Sequence, residues 1–317
     1  MNVLVTGCRG FVAGAVGRAY AAAGHTVLGV ARTSQPDDGW PGRYLSADVA
    51  HADLAPAVAA FAPDVVFHGA GTASVGASLA APLDDLRGAV MTWANVLDAV
   101  RRSGRSPLVV FPSSAAVYGD PATLPVAEDA PVAPVSPYGF HKAACELLGR
   151  EYAQCFGLRV LVCRLFSLYG LRQRRLLVWE LYRQFRGPDP EVWLDGTGEE
   201  SRDYLHVDDA AAAVVALSTA AGASERPSTV NVAGGRETTV RELAAAVGHA
   251  ARSGKAVRCR GTRRAGDPGR WEADVRRLRS AVPRWQAAPL AGGLGDCIAA
   301  WDAGAMGMPA ARREGVL

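Results

Sequence analysis

One tyrosine and one lysine near the middle of the chain have the types and the spacing of an acid–base pair. Tyr138 and Lys142 are four residues apart, so a helix would carry both side chains on one face, one turn apart. A neighbouring ammonium group stabilises the phenolate form of a tyrosine and lets that side chain move a proton near neutral pH. Ser114 follows a β-branched run and could donate a hydrogen bond to the reacting oxygen. Because this spacing is common on helices, its meaning depends on the surrounding motifs.

A glycine-rich turn near the N-terminus could hold a phosphate. Residues 3–13 have the pattern of a strand, a turn and the start of a helix, with the spacing G-x-x-G-x-x-A. Gly7 and Gly10 would let backbone amides approach a pyrophosphate, and Ala13 would keep the helix close to the strand. Turns need glycine in any case, but the position at the first strand-to-helix junction favours dinucleotide binding.

The end of the second predicted strand indicates which dinucleotide would bind. An acidic residue there would hydrogen-bond the ribose hydroxyls of NAD. This chain instead has Ala31 followed by Arg32, Thr33 and Ser34. Since a guanidinium can pair with a 2′-phosphate through two parallel hydrogen bonds, the pattern favours NADP. The alternative is that Arg32 is a solvated loop arginine.

The elements that must position these residues alternate between strands and helices in the first half of the chain. Strands are predicted at 2–5, 26–30, 64–67, 108–111 and 158–165, and helices at 11–23, 53–61, 84–102 and 137–156. Ser136 is a typical N-cap and Pro137 a typical first helical residue. The alternation predicts an α/β fold with a Rossmann-like, doubly wound parallel sheet and helices on both faces.

The second half of the chain is less regular. We assign residues 1–165 to a Rossmann-like, NAD(P)-binding domain and residues 166–317 mainly to a smaller C-terminal substrate-binding lobe over the carboxyl edge of the sheet. Segments near 204–217 and 229–232 keep the strand-and-helix pattern and are expected to return to the first domain. A basic helix is predicted around 171–186.

Charge and composition limit the class of partner. The chain has 34 basic and 31 acidic residues, and its formal charge of +3 is too small to argue for nucleic acid or a membrane surface. Six scattered cysteines without a C-x-x-C pair predict reduced thiols and a cytoplasmic location. We expect no membrane span or signal peptide, since no apolar run approaches about eighteen residues and no basic leader is present. The histidines and cysteines have no metal-ligand spacing, so no metal is expected.

Together these motifs resemble those of the extended short-chain dehydrogenase/reductases, in the NAD(P)-dependent nucleotide-sugar epimerase/dehydratase family. The resemblance covers nearly the whole chain. Further runs that carry it are residues 113–119, 164–170, 195–198, 202–209, 231–235, 264–267 and 273–274.

The resemblance implies a role for each of a set of residues. Ser114, Tyr138 and Lys142 would be catalytic, and Lys142 would also hold the nicotinamide ribose. The cofactor would contact Gly7, Arg9, Gly10, Phe11, Val12, Arg32, Asp48, Val49, Gly69, Ala70, Gly71, Tyr138 and Lys142. The nucleotide sugar would contact Ser114, Ser167, Arg202 and Arg264. Two converging arginines suit a diphosphate because each can neutralise part of its charge.

One departure from the family pattern narrows the reaction. The 4,6-dehydratases of the family have an acidic residue just after the active-site Ser or Thr, whereas this chain has Ala115 and Ala116. The resemblance therefore disfavours loss of water and leaves hydride transfer at a sugar carbon, expected to be C4.

Three functions fit this pattern. Arg32 favours an NADPH-dependent reductase of a 4-keto sugar nucleotide. Residues 113–119 resemble the epimerases most, so the alternative is a nucleotide-sugar 4-epimerase with tightly bound NAD. A non-catalytic, NADP-binding regulator is a third hypothesis, disfavoured because Ser114, Tyr138 and Lys142 are all present. The resemblance also implies a homodimer in which helices 84–102 and 137–156 of two copies form a four-helix interface.

Overall fold

Twelve strands are found in the computed structural model, which describes residues 1–37, 39–220, 228–262 and 268–304. In chain order the strands are β1 (Asn2–Thr6), β2 (Thr26–Ala31), β3 (Arg43–Ser46), β4 (Val65–His68), β5 (Leu108–Ser114), β6 (Arg159–Leu165), β7 (Ser167–Tyr169), β8 (Glu191–Leu194), β9 (Ser201–His206), β10 (Thr229–Val232), β11 (Glu237–Thr239) and β12 (Ala256–Cys259).

Helices separate most of these strands. They are α1 (Phe11–Ala22), α2 (Ala55–Phe61), α3 (Val75–Ala80), α4 (Pro82–Leu86), α5 (Thr92–Arg102), α6 (Pro137–Phe156), α7 (Leu177–Arg186), α8 (Val207–Thr219), α9 (Val240–Ala250), α10 (Arg276–Ala281) and α11 (Leu290–Asp302). A π-helical turn (Arg87–Met91) joins α4 to α5, and a 3₁₀ turn (Ala115–Tyr118) follows β5.

Seven parallel strands form the central sheet in the order β10-β6-β5-β4-β1-β2-β3. Alternate residues of β1 enter different cores: Val3 and Val5 pack with α1 and α8 on one face, whereas Leu4 packs with α2 and α5 on the other. Both faces of the sheet are therefore covered by helices, and the predicted doubly wound α/β fold is confirmed.

A third apolar core lies outside the large sheet. It contains Leu181 of α7, Leu243 of α9 and Ile298 of α11, together with Val192 and Leu194 of β8. Two small sheets accompany it, with the orders β11-β9-β7 and β12-β8. From the second half of the chain, α8 packs against α1 and β10 pairs with β6 in the large sheet. The division of the chain into two domains at residue 165 stays a prediction.

Helix α6 matches its predicted bounds for local reasons. The Oγ of Ser136 accepts a hydrogen bond from the amide of Gly139, and Pro137 occupies the first turn. The helix ends at Gly157, whose φ of +70° is left-handed. These signals lie within a few residues of each end, so the sequence alone locates the helix.

Other segments differ from their predictions. Residues 171–176 are not helical, because Leu176 has a φ of +71° and helix α7 begins only at Leu177. The single helix predicted at 84–102 is divided between α4, the π-helical turn and α5. Strand β3 and helix α3 were not predicted. No helix in the described part of the chain is long and apolar enough to cross a bilayer, and the cytoplasmic location stays a prediction.

Candidate functional site

Most of the predicted cofactor-binding and catalytic residues lie at the carboxyl edge of the central sheet. Strands β1 and β4 are neighbours there, with Thr6 paired to His68. The chain leaves β1 toward one side of the sheet and β4 toward the other, so a crevice is expected outside this pair of strands. The glycine turn after β1 therefore meets the segment after β4 that the resemblance assigned to the cofactor.

The glycine turn is built for close backbone approach. Gly7 has a φ of +66°, and a Cβ on it would lie 2.5 Å from the carbonyl oxygen of Gly69. No other residue fits this position without moving the backbone. A Cβ on Gly69 would in turn lie 2.4 Å from the Cβ of Ala13. The small residues at all three positions bring β1, α1 and the end of β4 together.

Helix α1 begins at this turn without a side-chain cap. Gly10 is its N-cap residue, and the amide of Gly10 donates to the carbonyl oxygen of Gly7 at 2.7 Å. The first-turn amides at Phe11 and Val12 have no capping side chain, and helix N-termini of this kind favour anions. The glycine turn and these amides therefore fit the pyrophosphate of a dinucleotide.

Two arginines lie near the ends of β1 and β2. Strand β2 ends at Ala31, and Arg32 is exposed without an ion pair to any residue that the structure describes. The Nε of Arg9 lies 2.5 Å from Oδ1 of Asp37, and this hydrogen bond raises the pKa of Arg9. Arg32 is thus available to a phosphate, whereas Arg9 is already paired with a carboxylate.

Two of the predicted cofactor-binding residues, Asp48 and Val49, follow β3. Oδ1 of Asp48 accepts a hydrogen bond from the amide of Ala50 at 3.0 Å, so the carboxylate stabilises its own turn. Val49 is buried, and its carbonyl oxygen lies 3.3 Å from Nδ2 of Asn95 in α5. The second contact joins the segment to α5.

Ser114, Tyr138 and Lys142 are carried by β5 and α6, which pack together. Ser114 is the last residue of β5, and its Oγ accepts a hydrogen bond from the amide of Ala116 at 3.2 Å. The Nζ of Lys142 donates to the carbonyl oxygen of Pro112 at 2.9 Å and lies 5.8 Å from the centre of the Tyr138 ring. The lysine ammonium therefore lies between the serine strand and the tyrosine.

A neighbouring helix supports the start of α6. The amide of Tyr138 donates to Oγ of Ser78 in α3 at 3.0 Å, and Ser78 is fully buried. This bond satisfies one of the free amides at the N-terminus of α6. Sequence reasoning did not identify Ser78, because the contact joins elements 60 residues apart.

A buried histidine lies close to the same lysine. The His68 ring is stacked against Phe111 and tilted against Trp93, and its Nδ1 is 3.0 Å from Oγ1 of Thr6. Burial, with a contribution from the charge of Lys142, lowers the pKa of His68 to about 3. The ring is therefore neutral at physiological pH and adds no positive charge beside Lys142.

Behind Ser114, a buried carboxylate connects three elements. Oε1 of Glu146 in α6 accepts a hydrogen bond from the hydroxyl of Ser113 at 2.6 Å, and Arg164 of β6 donates to both oxygens of Glu146. The predictions omitted Glu146. Its position four residues after Lys142 and the charged Arg164 in an otherwise apolar strand are the signals that could have indicated this contact.

The predicted substrate residues are less closely grouped. Ser167 begins β7, directly after the end of β6, and is half-buried. Arg202 in β9 lies with its Cζ 5.0 Å from the centre of the Trp271 ring, and its Nη1 donates to the carbonyl oxygen of Ser201 at 2.7 Å. Arg264 lies outside the described residues. The structure thus describes one of the two arginines predicted to bind a diphosphate.

Comparison with known proteins shows which family and which enzymes the chain is similar to. A sequence profile of the NAD dependent epimerase/dehydratase family matches residues 3–233. UDP-glucose 4-epimerase of Mycolicibacterium smegmatis is 32% identical over 264 residues, covering 78% of this chain and 82% of that enzyme. GDP-6-deoxy-D-mannose reductase of Pseudomonas aeruginosa is 32% identical over 250 residues, covering 76% and 77%.

Solved structures show the same fold. The structure of MoeE5 in complex with UDP-glucuronic acid and NAD has a TM-score of 0.86 at 29% identity, covering 96% of this chain and 100% of that one. UDP-glucose 4-epimerase from Thermotoga maritima, with UDP-glucose, has a TM-score of 0.86 at 25% identity with the same coverage.

Proposed function

Since the chain belongs to the NAD-dependent epimerase/dehydratase family, we propose that it transfers hydride at C4 of a nucleotide-linked sugar, as an NADPH-dependent reductase of a 4-keto sugar nucleotide. The observation that carries the proposal is the position of the Lys142 ammonium, between the strand that ends in Ser114 and the ring of Tyr138. A nicotinamide cofactor, when bound, supplies the hydride, and the residues of the chain supply binding and the proton.

The residues that would hold the dinucleotide follow from the site. The glycine turn and the first-turn amides of Phe11 and Val12 would hold the pyrophosphate. Asp48, Val49 and the segment 69–71 would contact the adenosine and the adjoining part of the cofactor. Tyr138 and Lys142 would hold the nicotinamide ribose.

The proton chemistry is assigned to three side chains. The hydroxyl of Ser114 would donate a hydrogen bond to the C4 oxygen of the sugar and orient the carbonyl group. Tyr138 would donate its phenolic proton to that oxygen as the carbonyl is reduced. Lys142 would stabilise the resulting phenolate, because its ammonium group is held near the tyrosine by the bond to Pro112.

The nucleotide sugar would lie over the carboxyl edge of β5 and β6. Ser167 would contact the sugar, and Arg202 with Arg264 would bind the diphosphate. The position of the Arg202 guanidinium over the Trp271 ring supports this role, since the indole face holds the guanidinium in place.

Two features favour reduction with NADPH. The second strand ends at Ala31 without an acidic residue, and the exposed Arg32 is free to pair with a 2′-phosphate. Ala115 and Ala116 are buried directly after Ser114, so the position that would carry an acid–base for water loss holds only methyl groups. The proposal is therefore hydride transfer without dehydration.

A 4-epimerase with tightly bound NAD is the second candidate. It is favoured by the similarity to the UDP-glucose 4-epimerases of Mycolicibacterium smegmatis and Thermotoga maritima. With the same Ser114, Tyr138 and Lys142 moving the proton, hydride would pass from C4 to the bound NAD and would return to the other face of the 4-keto sugar. In that case Arg32 would have no part in cofactor choice.

We also propose a homodimer. Leu83, Met91, Phe140 and Leu147 are each more than half exposed, and they lie on α4, the π-helical turn and α6, which pack against each other. Phe140 and Leu147 are seven residues apart, so they share one face of α6. A second copy of the chain would cover these side chains.

The two enzymes are separated by the nucleotide that the protein retains. Freshly purified protein is denatured, the released nucleotide is identified, and the stripped protein is titrated with NAD and with NADPH. An empty site that prefers NADPH supports the reductase. Stoichiometric NAD retained through purification supports the epimerase.

A further inference from the structure

Glu146, Ser113 and Arg164 form a buried clasp between α6, β5 and β6. The hydroxyl of Ser113 donates to Oε1 of Glu146 at 2.6 Å. Arg164 donates from Nε to Oε1 at 3.0 Å and from Nη2 to Oε2 at 2.7 Å. Glu146 is 9% exposed, Ser113 is 2% exposed and Arg164 is 5% exposed. Both oxygens of this carboxylate are thus satisfied away from water.

Each nitrogen of the Arg164 guanidinium is hydrogen-bonded as well. The Nη1 of Arg164 donates to the hydroxyl of Tyr118 and to the carbonyl oxygen of Glu128, each at 2.9 Å. The hydroxyl of Tyr118 donates to Oδ1 of Asn231 at 2.6 Å. A buried ion pair with every partner satisfied has one favoured geometry, since any displacement leaves a charge unpaired in a poorly solvated place.

The clasp lies one turn beyond the proposed catalytic residues. Glu146 follows Lys142 by four residues on α6, and Ser113 directly precedes Ser114 on β5. The other side-chain hydrogen bond described between α6 and β5 is from the Nζ of Lys142 to the carbonyl oxygen of Pro112. The bond from Lys142 involves a catalytic group itself, whereas the clasp touches none of the groups proposed to react.

We propose that Glu146 is a positioning residue, which acts through Ser113 and Arg164 to hold the helix with Tyr138 and Lys142 at a set distance from the strand with Ser114. This rests on the proposed function, because it assigns no chemistry of its own. A displacement of about 1 Å between reacting groups can lower a rate by about a hundredfold. The loss of the clasp should therefore affect turnover more than binding.

The test is Ser113→Ala, which removes the link to β5 and keeps the Glu146–Arg164 ion pair. The expected result is a kcat about 10- to 100-fold lower, with the KM for the sugar nucleotide and the Kd for cofactor changed less than about threefold. Glu146→Gln is the second variant and should give the same split between kcat and KM.

Ser218→Ala is the matched control. Ser218 is also a buried serine whose hydroxyl contacts another side chain, at 2.5 Å from the hydroxyl of Tyr20, but it lies on α8 away from the clasp. Ser218→Ala should lower the free energy of unfolding by a similar amount and leave kcat unchanged. Equal kcat values for Ser113→Ala and the parent, or equal losses in Ser113→Ala and Ser218→Ala, would overturn the proposal.

Hydrogen exchange separates this proposal from the proposed function. Ser113→Ala should speed amide exchange in peptides covering 137–146 of α6. Amide exchange in the central sheet should stay as in the parent. A parent protein that turns over no sugar nucleotide would remove the proposed function. Exchange in 137–146 unchanged by Ser113→Ala would remove the positioning role, whether or not the parent is active.

Discussion

The Nζ of Lys142 donates a hydrogen bond to the carbonyl oxygen of Pro112 at 2.9 Å, two residues before Ser114 on the same strand. The bond crosses from helix α6 to strand β5, so the lysine and the serine share one rigid support. The same ammonium lies 4.8 Å from the centre of the Phe111 ring. Its direction is therefore set before any ligand binds, which is what an acid–base site needs from a flexible side chain.

Replacing the proposed proton donor should abolish turnover and spare binding. Tyr138→Phe is expected to lower kcat by roughly two to four orders of magnitude, because the C4 oxygen loses its acid. The Kd for cofactor, measured by fluorescence titration, should stay within a few-fold of the parent. Tyr152→Phe, on the same helix, is the control and should leave both quantities unchanged. A Tyr138→Phe variant with full biological function would instead support the regulator.

Removing the positive charge of Arg32 and removing the negative charge of Asp37 should change the affinity for NADPH in opposite directions. Arg32→Ala is expected to weaken NADPH binding by about 10- to 100-fold, the range for losing a charge-assisted hydrogen bond, and to leave NADH binding unchanged. Asp37→Asn should strengthen NADPH binding, because Arg9 loses the carboxylate that now holds it.

Isothermal titration with the two dinucleotides measures both effects. Arg105→Ala is the control, since this arginine bonds to the carbonyl oxygen of Ala59 and lies away from the glycine turn. Equal weakening of NADH and NADPH by Arg32→Ala would contradict the assignment to the 2′-phosphate.

The stability of the protein should fall in mild acid partly because of His68. Its pKa is lowered from 6.5 to about 3 by burial, so the unfolded chain binds a proton between these values and the folded chain does not. The free energy of unfolding therefore decreases as the pH falls through 6.5, by roughly 3 kcal/mol from this residue by pH 4.

Urea unfolding of the parent and of His68→Asn, measured between pH 7 and pH 4, checks this dependence. His68→Asn should start less stable at pH 7 because the ring contacts with Trp93 and Phe111 are lost. Its free energy of unfolding should then decline less steeply with pH. The exposed His51 provides a control, His51→Asn, expected to keep the slope of the parent. Parallel slopes for His68→Asn and the parent would be inconsistent with a neutral, buried ring.

The molecular mass of the protein in solution tests the proposed dimer directly. Light scattering should give twice the 33.1 kDa of the chain. Leu147→Glu should reduce this to the monomer mass, because a charge would be buried between the two copies of α6. Leu176→Glu changes an exposed leucine on another part of the chain and should keep the dimer. A monomeric parent would contradict the proposed dimer. The exposure of the apolar side chains on α4 and α6 would then have another cause.

Local signals account for the parts of the fold and site that sequence predicts well. Gly7, Gly10 and Ala13 stand in one short segment, and the cap at Ser136 with the stop at Gly157 delimits α6 from within. Tyr138 and Lys142 belong to one helix, so their relation needs only the helical repeat. Such features need no knowledge of what packs against them.

Long-range contacts account for most of what sequence does not predict. The amide of Tyr138 is bonded by Ser78, and Glu146 is bonded by Ser113 and Arg164, residues 33 and 18 positions away. Arg164 lies in an apolar strand where its charge looks unfavourable until the carboxylate of another element is in place. The helix predicted at 171–186 begins only at Leu177, because Leu176 has a left-handed φ. A leucine does not predict this conformation.

The most direct test of the central claim follows one deuterium atom. The stripped protein is mixed with a 4-keto sugar nucleotide and NADPH that carries deuterium at the transferring position of the nicotinamide, and the product is examined by NMR. A reductase should give deuterium at C4 of the product sugar, one for each NADPH consumed, and none with Tyr138→Phe. No deuterium at C4 from NADPH, together with interconversion of 4-hydroxy sugar nucleotides by the unstripped protein with its retained NAD, would contradict reduction and identify an epimerase.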